Sequence, residues 1–178
     1  MSERISRASI RRAQPADAAA IARTEVDSWQ SAYLGLVPAA VLNALSVPAR
    51  QASWHRILTR SATTGTRTWL LCAGGAVLGF ASAGPTRDPD DAPLDVGELY
   101  TIYLLPTAWG RGLGAALLDT AQADLARRRY RTMTLWVLEG NTRARRFYEL
   151  AGLSRDGARR PTRVGTVSLP EIRYRRAL

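Results

Sequence analysis

The segment Tyr103-Leu-Leu-Pro-Thr-Ala-Trp-Gly-Arg-Gly-Leu-Gly-Ala-Ala-Leu-Leu118 constrains this chain more than any other. An apolar run suited to a strand meets a proline, three glycines follow at alternate positions (Gly110, Gly112, Gly114), and a helical pattern begins. Glycine lacks the Cβ that would keep a ligand from the backbone, and a helix start presents free N–H groups and the positive end of its dipole. A strand, loop and helix in this order can therefore cradle a phosphate. The same spacing also describes a plain tight turn.

Gly110-Arg-Gly-Leu-Gly-Ala115 satisfies the dinucleotide pattern with alanine in the last place, and Glu139 ends the next apolar run. Two observations oppose that reading. The dinucleotide fingerprint turns directly from strand to helix, whereas Pro106 to Trp109 intervene here. Only about 40 residues follow Leu138, too few for the rest of a doubly wound sheet.

Before the loop, Ser9 to Arg12 reads as a strand, and Pro15-Ala-Asp17 opens a helix running towards Tyr33 with Ala18, Ile21, Ala22 and Val26 on one face. A turn at Gly35 to Pro38 precedes a short helix at Ala39 to Leu45 and a longer one from Pro48 to Leu58. Strands Thr66 to Cys72 and Ala76 to Ala83 flank the hairpin signal Gly74-Gly75. Gly84 to Pro93, rich in proline and aspartate, reads as an exposed loop. Strands at Val96 to Leu105 and Thr132 to Leu138 then alternate with helices at Gly112 to Arg129 and Asn141 to Leu150, and Ser154 to Ala158 and Leu169 to Arg175 are two last strands. Helical crossovers together with a hairpin predict one mixed sheet with helices on both faces.

The 178 residues suit a single domain spanning 1–178. No apolar run approaches the roughly 18 residues of a membrane span, and the charged start Met1 to Ala8 lacks the apolar stretch of a secretory signal. A single cysteine, Cys72, allows no internal disulfide, so a cytoplasmic location is expected. His55 is the only histidine, which excludes Cys/His zinc clusters, and no metal is expected. All 25 basic residues are arginine, which excludes a Schiff-base lysine and a P-loop lysine. The net charge of +10 favours anionic partners. It leaves nucleic acid open as a partner without pointing to it.

Arg111-Gly-Leu-Gly114 after a strand ending in proline, followed by Asn141-x-x-Ala144-x-x-Phe147-Tyr148-Glu-x-x-Gly152-Leu, resembles the pyrophosphate loop and next helix of the GNAT superfamily of acetyl-CoA-dependent N-acetyltransferases. Trp29-x-x-Ala-Tyr33-x-Gly35-Leu-x-Pro38 is similar to an N-terminal segment of bacterial members. The resemblance implies a mostly antiparallel twisted sheet of six to seven strands. It also implies an enzyme that moves acetyl from acetyl-CoA directly to a primary amine of a small molecule or peptide. Trp109 departs from the glutamine or arginine common at the loop entry.

The resemblance further assigns the pyrophosphate to the loop, Trp109, Gly110, Arg111, Gly112, Leu113, Gly114 and Ala115, and the pantetheine to the backbone of Tyr103 and Leu104. The Leu104 amide would face the thioester oxygen, and Asn141 would reach the cofactor arm or simply cap its helix. Tyr148 is the implied general acid, since a phenol of pKa near 10 is protonated at neutral pH; the alternative is a core aromatic beside Phe147. Glu98, 14 residues before Gly112, stands where some members carry a base, acting directly or through water, although it could be a solvated carboxylate. Tyr100 and Ile102 share its face by strand alternation. Trp29 and Tyr33, four apart on one helix face, line the acceptor pocket or pack on the core; Glu98 and Tyr100 complete the expected acceptor set. A macromolecular acceptor (a protein N-terminus or a charged tRNA), a non-catalytic acyl-CoA or nucleic-acid binder, and a homodimer all stay open at this stage.

Overall fold

In the computed structural model, which describes residues 8–92 and 94–178, seven strands form one sheet in the order β1-β2-β3-β4-β5-β7-β6. These are β1 (Ser9–Arg12), β2 (Arg67–Ala73), β3 (Ala76–Pro85), β4 (Val96–Leu104), β5 (Thr132–Leu138), β6 (Ser154–Val164) and β7 (Val167–Ala177). Only β4 and β5 pair in parallel. The charged segment 1–7 lies outside the described residues, as does Pro93 at the end of the acidic loop. Gly74 and Gly75 both have positive φ, as the two-residue hairpin between β2 and β3 requires.

Helices cover both faces. On one side, α1 (Ala18–Ala32) and α3 (Val47–Thr59) bring Ile21, Ala22, Trp54 and Leu58 against Leu70 and Phe80. Buried Glu25 ties these helices together, accepting from the Trp54 indole N–H at 2.6 Å and from Arg50. The short α2 (Ala39–Asn43) closes the end of this face with Val37 and Leu42 against Leu138; α4 (Ser61–Thr64) leads into β2. On the other side, Leu117, Leu118, Ala121 and Leu125 of α5 (Leu113–Arg127) and Tyr148 of α6 (Thr142–Leu150) pack on Leu99, Leu135, Ile172 and Tyr174.

Three expectations change. The last two strands are much longer than their apolar cores, because β6 is an edge strand where Pro161 disturbs no inner ladder, and Pro170 lies past the end of β5. Strand alternation breaks in β4: the register against β3 shifts between Ser82 and Ala83, leaving Tyr100 as a bulge. Leu99, Ile102 and Leu104 therefore pack with the α5 side while Tyr103 packs with Phe80 on the α1 side, so Ile102 does not share the face of Glu98. The acidic loop is not simply exposed either. Asp88 is buried beneath the Trp136 indole N–H, which donates to it at 2.8 Å, with Arg160 and Arg173 alongside.

Candidate active site

The parallel ladder between β4 and β5 ends at Leu99 opposite Leu135. Beyond it the strands separate, and a cleft of about 630 Å³ runs through the gap, lined by residues 99–104 on one wall and 136–138 on the other. One arm opens towards α5 and α6, the other towards α1 and the β6–β7 hairpin.

The first arm ends at the glycine loop. Gly110 and Gly112 adopt φ of +69° and +73°, which glycine alone takes without strain, and a Cβ at either would meet nothing within 4 Å. Among the described residues, the N–H groups from Gly110 to Ala115 have no hydrogen-bond partner; the first closed bond runs from Ala116 N to the Gly112 carbonyl at 3.1 Å. Six free amides at the start of a 15-residue helix, facing open space, have the donor set and dipole that an anionic diphosphate needs.

The β4 backbone continues this surface. Leu105 N donates to the Leu78 carbonyl at 2.8 Å. Antiparallel alternation then turns the peptide groups of Leu104 and Ile102 away from β3, into the gap. The Leu104 carbonyl accepts from the Trp109 indole at 2.9 Å, and its N–H points into the cleft. The Arg143 guanidinium lies 3.2 Å from the Trp109 ring centroid, bridging the loop to the first turn of α6.

Tyr148 reaches the gap from α6. It is 7% exposed, and its hydroxyl makes no hydrogen bond to a described residue. Burial, with the Tyr33 phenol nearby, raises its pKa well above the ordinary tyrosine value, so the proton stays in place across the neutral range. From the α1 side come Trp29, Tyr33 and Tyr103, with ring centroids 4.8 to 6.5 Å apart. Burial likewise raises the pKa values of Tyr33 and Tyr103.

A model of the Acetyltransferase (GNAT) family matches residues 28–153. The chain belongs to that family. An uncharacterised N-acetyltransferase of Bacillus subtilis is 33% identical over 132 residues, 74% of this chain and 72% of the relative. A probable N-acetyltransferase of Mycobacterium tuberculosis is 27% identical over 169 residues, 93% and 91% of the two chains. A 66-residue stretch is 44% identical to the mycothiol acetyltransferase of Geodermatophilus obscurus but spans only 21% of that protein. The crystal structure of the PaiA N-acetyltransferase of Thermoplasma acidophilum, in complex with coenzyme A, matches the fold with a TM-score of 0.76 at 15% identity, covering 96% of this chain and 99% of that one.

In this GNAT N-acetyltransferase, Gly110, Gly112, Gly114, Ala115, Trp109, Tyr103, Leu104, Asn141, Tyr148, Trp29, Tyr33 and Tyr100 all line the one cleft. Arg111 and Leu113 do not, and Leu113 packs towards the core. Asn141 caps α6, its side-chain oxygen accepting from Ala144 N at 3.0 Å. The Tyr100 hydroxyl is committed to the Pro85 carbonyl at 2.6 Å, with the Arg87 guanidinium over its ring, so it offers the cleft no free donor. Burial, with Glu98 nearby, pushes its pKa up to about 12.

Glu98 stands apart. It is 1% exposed and does not line the cleft, and its carboxylate accepts from Arg87 through the backbone N–H at 2.9 Å, Nε at 3.1 Å and Nη2. Enclosed by Arg87 and outside the cleft lining, the carboxylate does not directly meet an amine held in the cleft; the expectation of a base acting directly or through water gains no support from this geometry. Sequence reasoning also passed over Ser28, Thr101, Trp136 and Glu171, all of which line the cleft. No spacing signal marks them, because they come from α1, β4, β5 and β7 and meet only in the folded sheet. Among the described residues no group of three or more His, Cys, Asp or Glu could hold a metal, and no helix is long and apolar enough to cross a membrane.

Proposed function

We propose that the protein binds acetyl-CoA with its diphosphate on the amides of residues 110–115 and its pantetheine arm along Ile102 to Leu104, and transfers the acetyl group directly to a primary amine of a small molecule or peptide. The observation that carries this reading is the continuity of one cleft: Gly110, Gly112, Gly114 and Ala115 of the loop with its unpartnered amides, Leu104 and Tyr148 all line the same space.

In the ternary complex a neutral amine nitrogen attacks the thioester carbonyl carbon, and the Leu104 N–H faces the oxygen as charge gathers on it. The carbon–sulfur bond breaks, the Tyr148 phenol passes its proton to the departing sulfur, and the amine proton leaves to solvent. Direct transfer is favoured over a covalent enzyme intermediate because Cys72 does not line the cleft and Ser28 Oγ has no partner that could act as its base.

Two measurements test the proposal. Coenzyme A at 100 times its dissociation constant contributes about 2.7 kcal/mol to stability, or roughly 5–10 °C in melting temperature for a chain of this size, and NAD contributes nothing. Acetyl-CoA consumption against amino acids, polyamines, aminoglycosides and peptide N-termini then reports the acceptor. Stabilisation by NAD and not by coenzyme A would sink the reading.

A further inference from the structure

Among the described residues, Glu171 is the only acidic one lining the cleft. It stands on β7 opposite Leu138, where β4 has already diverged from β5, and faces the α1 arm beside Tyr33, whose ionisation it opposes. One carboxylate oxygen accepts from Arg160 Nε at 2.9 Å; the other makes no hydrogen bond to a described residue.

Arg160 does not neutralise Glu171 by itself. Its guanidinium also pairs with Asp88 at 3.3 Å and lies over the Trp136 ring, 4.1 Å from the centroid. Asp88 is shared in turn with Arg173, which also pairs with Asp91 and Asp156, and both of those acids pair with Arg175. The network joins four carboxylates (Asp88, Asp91, Asp156, Glu171) to three guanidiniums (Arg160, Arg173, Arg175), which leaves one negative charge. Asp88, Asp91 and Asp156 each meet two of these arginines, whereas Glu171, the one of the four that lines the cleft, meets only Arg160. The remaining charges lining the cleft are Arg163, exposed on the neighbouring β6, and Arg143, at the glycine-loop end.

The surrounding wall suits a cation. Trp29, Tyr33 and Tyr103 supply aromatic faces, and the buried Ser28 Oγ of α1 has no hydrogen-bond partner among the described residues. Ser28 is 1% exposed and lines the cleft, so its hydroxyl can accept a hydrogen bond from a donor held there. Tyr148 reaches the gap from the α6 side of the sheet, whereas Glu171 stands on the α1 side. Tyr148 and Glu171 thus enter the cleft from opposite faces of the sheet, the arrangement a second cation would use besides an amine at Tyr148.

We infer that Glu171 holds a second cationic group of the acceptor, an ammonium or guanidinium carried besides the reacting amine. This rests on the amine-transfer reading above. The test compares α,ω-diamines of three to eight carbons with monoamines and ω-amino acids of equal length, using the intact enzyme and saturating acetyl-CoA. For the wild type, kcat/KM for the best diamine exceeds that of its monoamine about tenfold or more, as for a hydrogen bond between charged groups, and the amino acid is poorest. Glu171→Gln removes the diamine advantage through a higher diamine KM, while kcat/KM for the monoamine changes much less. An undiminished diamine preference in a folded Glu171→Gln variant overturns the assignment. So does preference for the amino acid, which would give the arm to Arg163. Absence of acetyl-CoA consumption with every amine is a different result: the amine-transfer reading fails, and this inference falls with it.

Discussion

Replacing Tyr148 by phenylalanine removes one oxygen and separates chemistry from packing. The ring sits in the core between Phe147 and Tyr174, with centroids at 5.3 and 6.2 Å, and the substitution leaves that burial intact. Deleting a bonded hydroxyl costs about 0.5–1.5 kcal/mol, but this one has no protein partner to lose. The expected stability change is therefore within about 0.5 kcal/mol, or roughly 2 °C in melting temperature. Acid catalysis contributes about 10²- to 10⁴-fold, and water can protonate part of the leaving thiolate, so kcat should fall by about tenfold to a thousandfold. Coenzyme A affinity should move little. The raised pKa of this phenol adds a second expectation: the wild-type rate shows no loss from Tyr148 ionisation between pH 7 and about 10. Single-turnover kinetics on the best acceptor, with thermal melts on both proteins, provide the assay. A Tyr148→Phe enzyme that matches wild type in a chemistry-limited turnover would refute the acid role and leave Tyr148 as a packing residue.

Gly112→Val should weaken coenzyme A binding at least about tenfold, because a β-branched residue at φ +73° costs about 1–2 kcal/mol and projects into the open space of the loop; unchanged affinity by calorimetry counts against the cradle. Glu98→Gln should lower stability by about 1–3 kcal/mol through its buried Arg87 contacts while kcat keeps its pH profile; a rate loss recovered at high pH would return Glu98 to the chemistry. Burial works against the charge of Asp156, but the Ala158 amide with Arg173 and Arg175 outweighs it and lowers its pKa. That contribution is present above the ordinary aspartate pKa of about 3.9 and lost as pH falls through the lower folded value, so Asp156→Asn should destabilise at pH 7 but not near pH 2; equal effects in chemical denaturation at both would contradict it.

Much of this protein is local and therefore legible in the chain. The glycine loop, the α6 start at Asn141 and the Gly74-Gly75 hairpin depend on backbone freedom and capping within a few residues, and each lies where the pattern puts it. The cofactor arm is such a feature, since its amides are consecutive. The acceptor arm is not. A bulge at Tyr100 reverses alternation in β4, which no periodicity shows, and so Ile102 leaves the face of Glu98. An arginine 11 residues upstream closes over Glu98, while Glu171, 73 residues downstream, becomes the carboxylate of the cleft. Which acid is enclosed and which meets a single arginine at the cleft depends on strand order and on how four carboxylates share three arginines across the loop, β6 and β7. Long-range pairing of that kind is settled only when the sheet closes. Composition fixes the number of charges, and tertiary structure decides which one is left with a single partner.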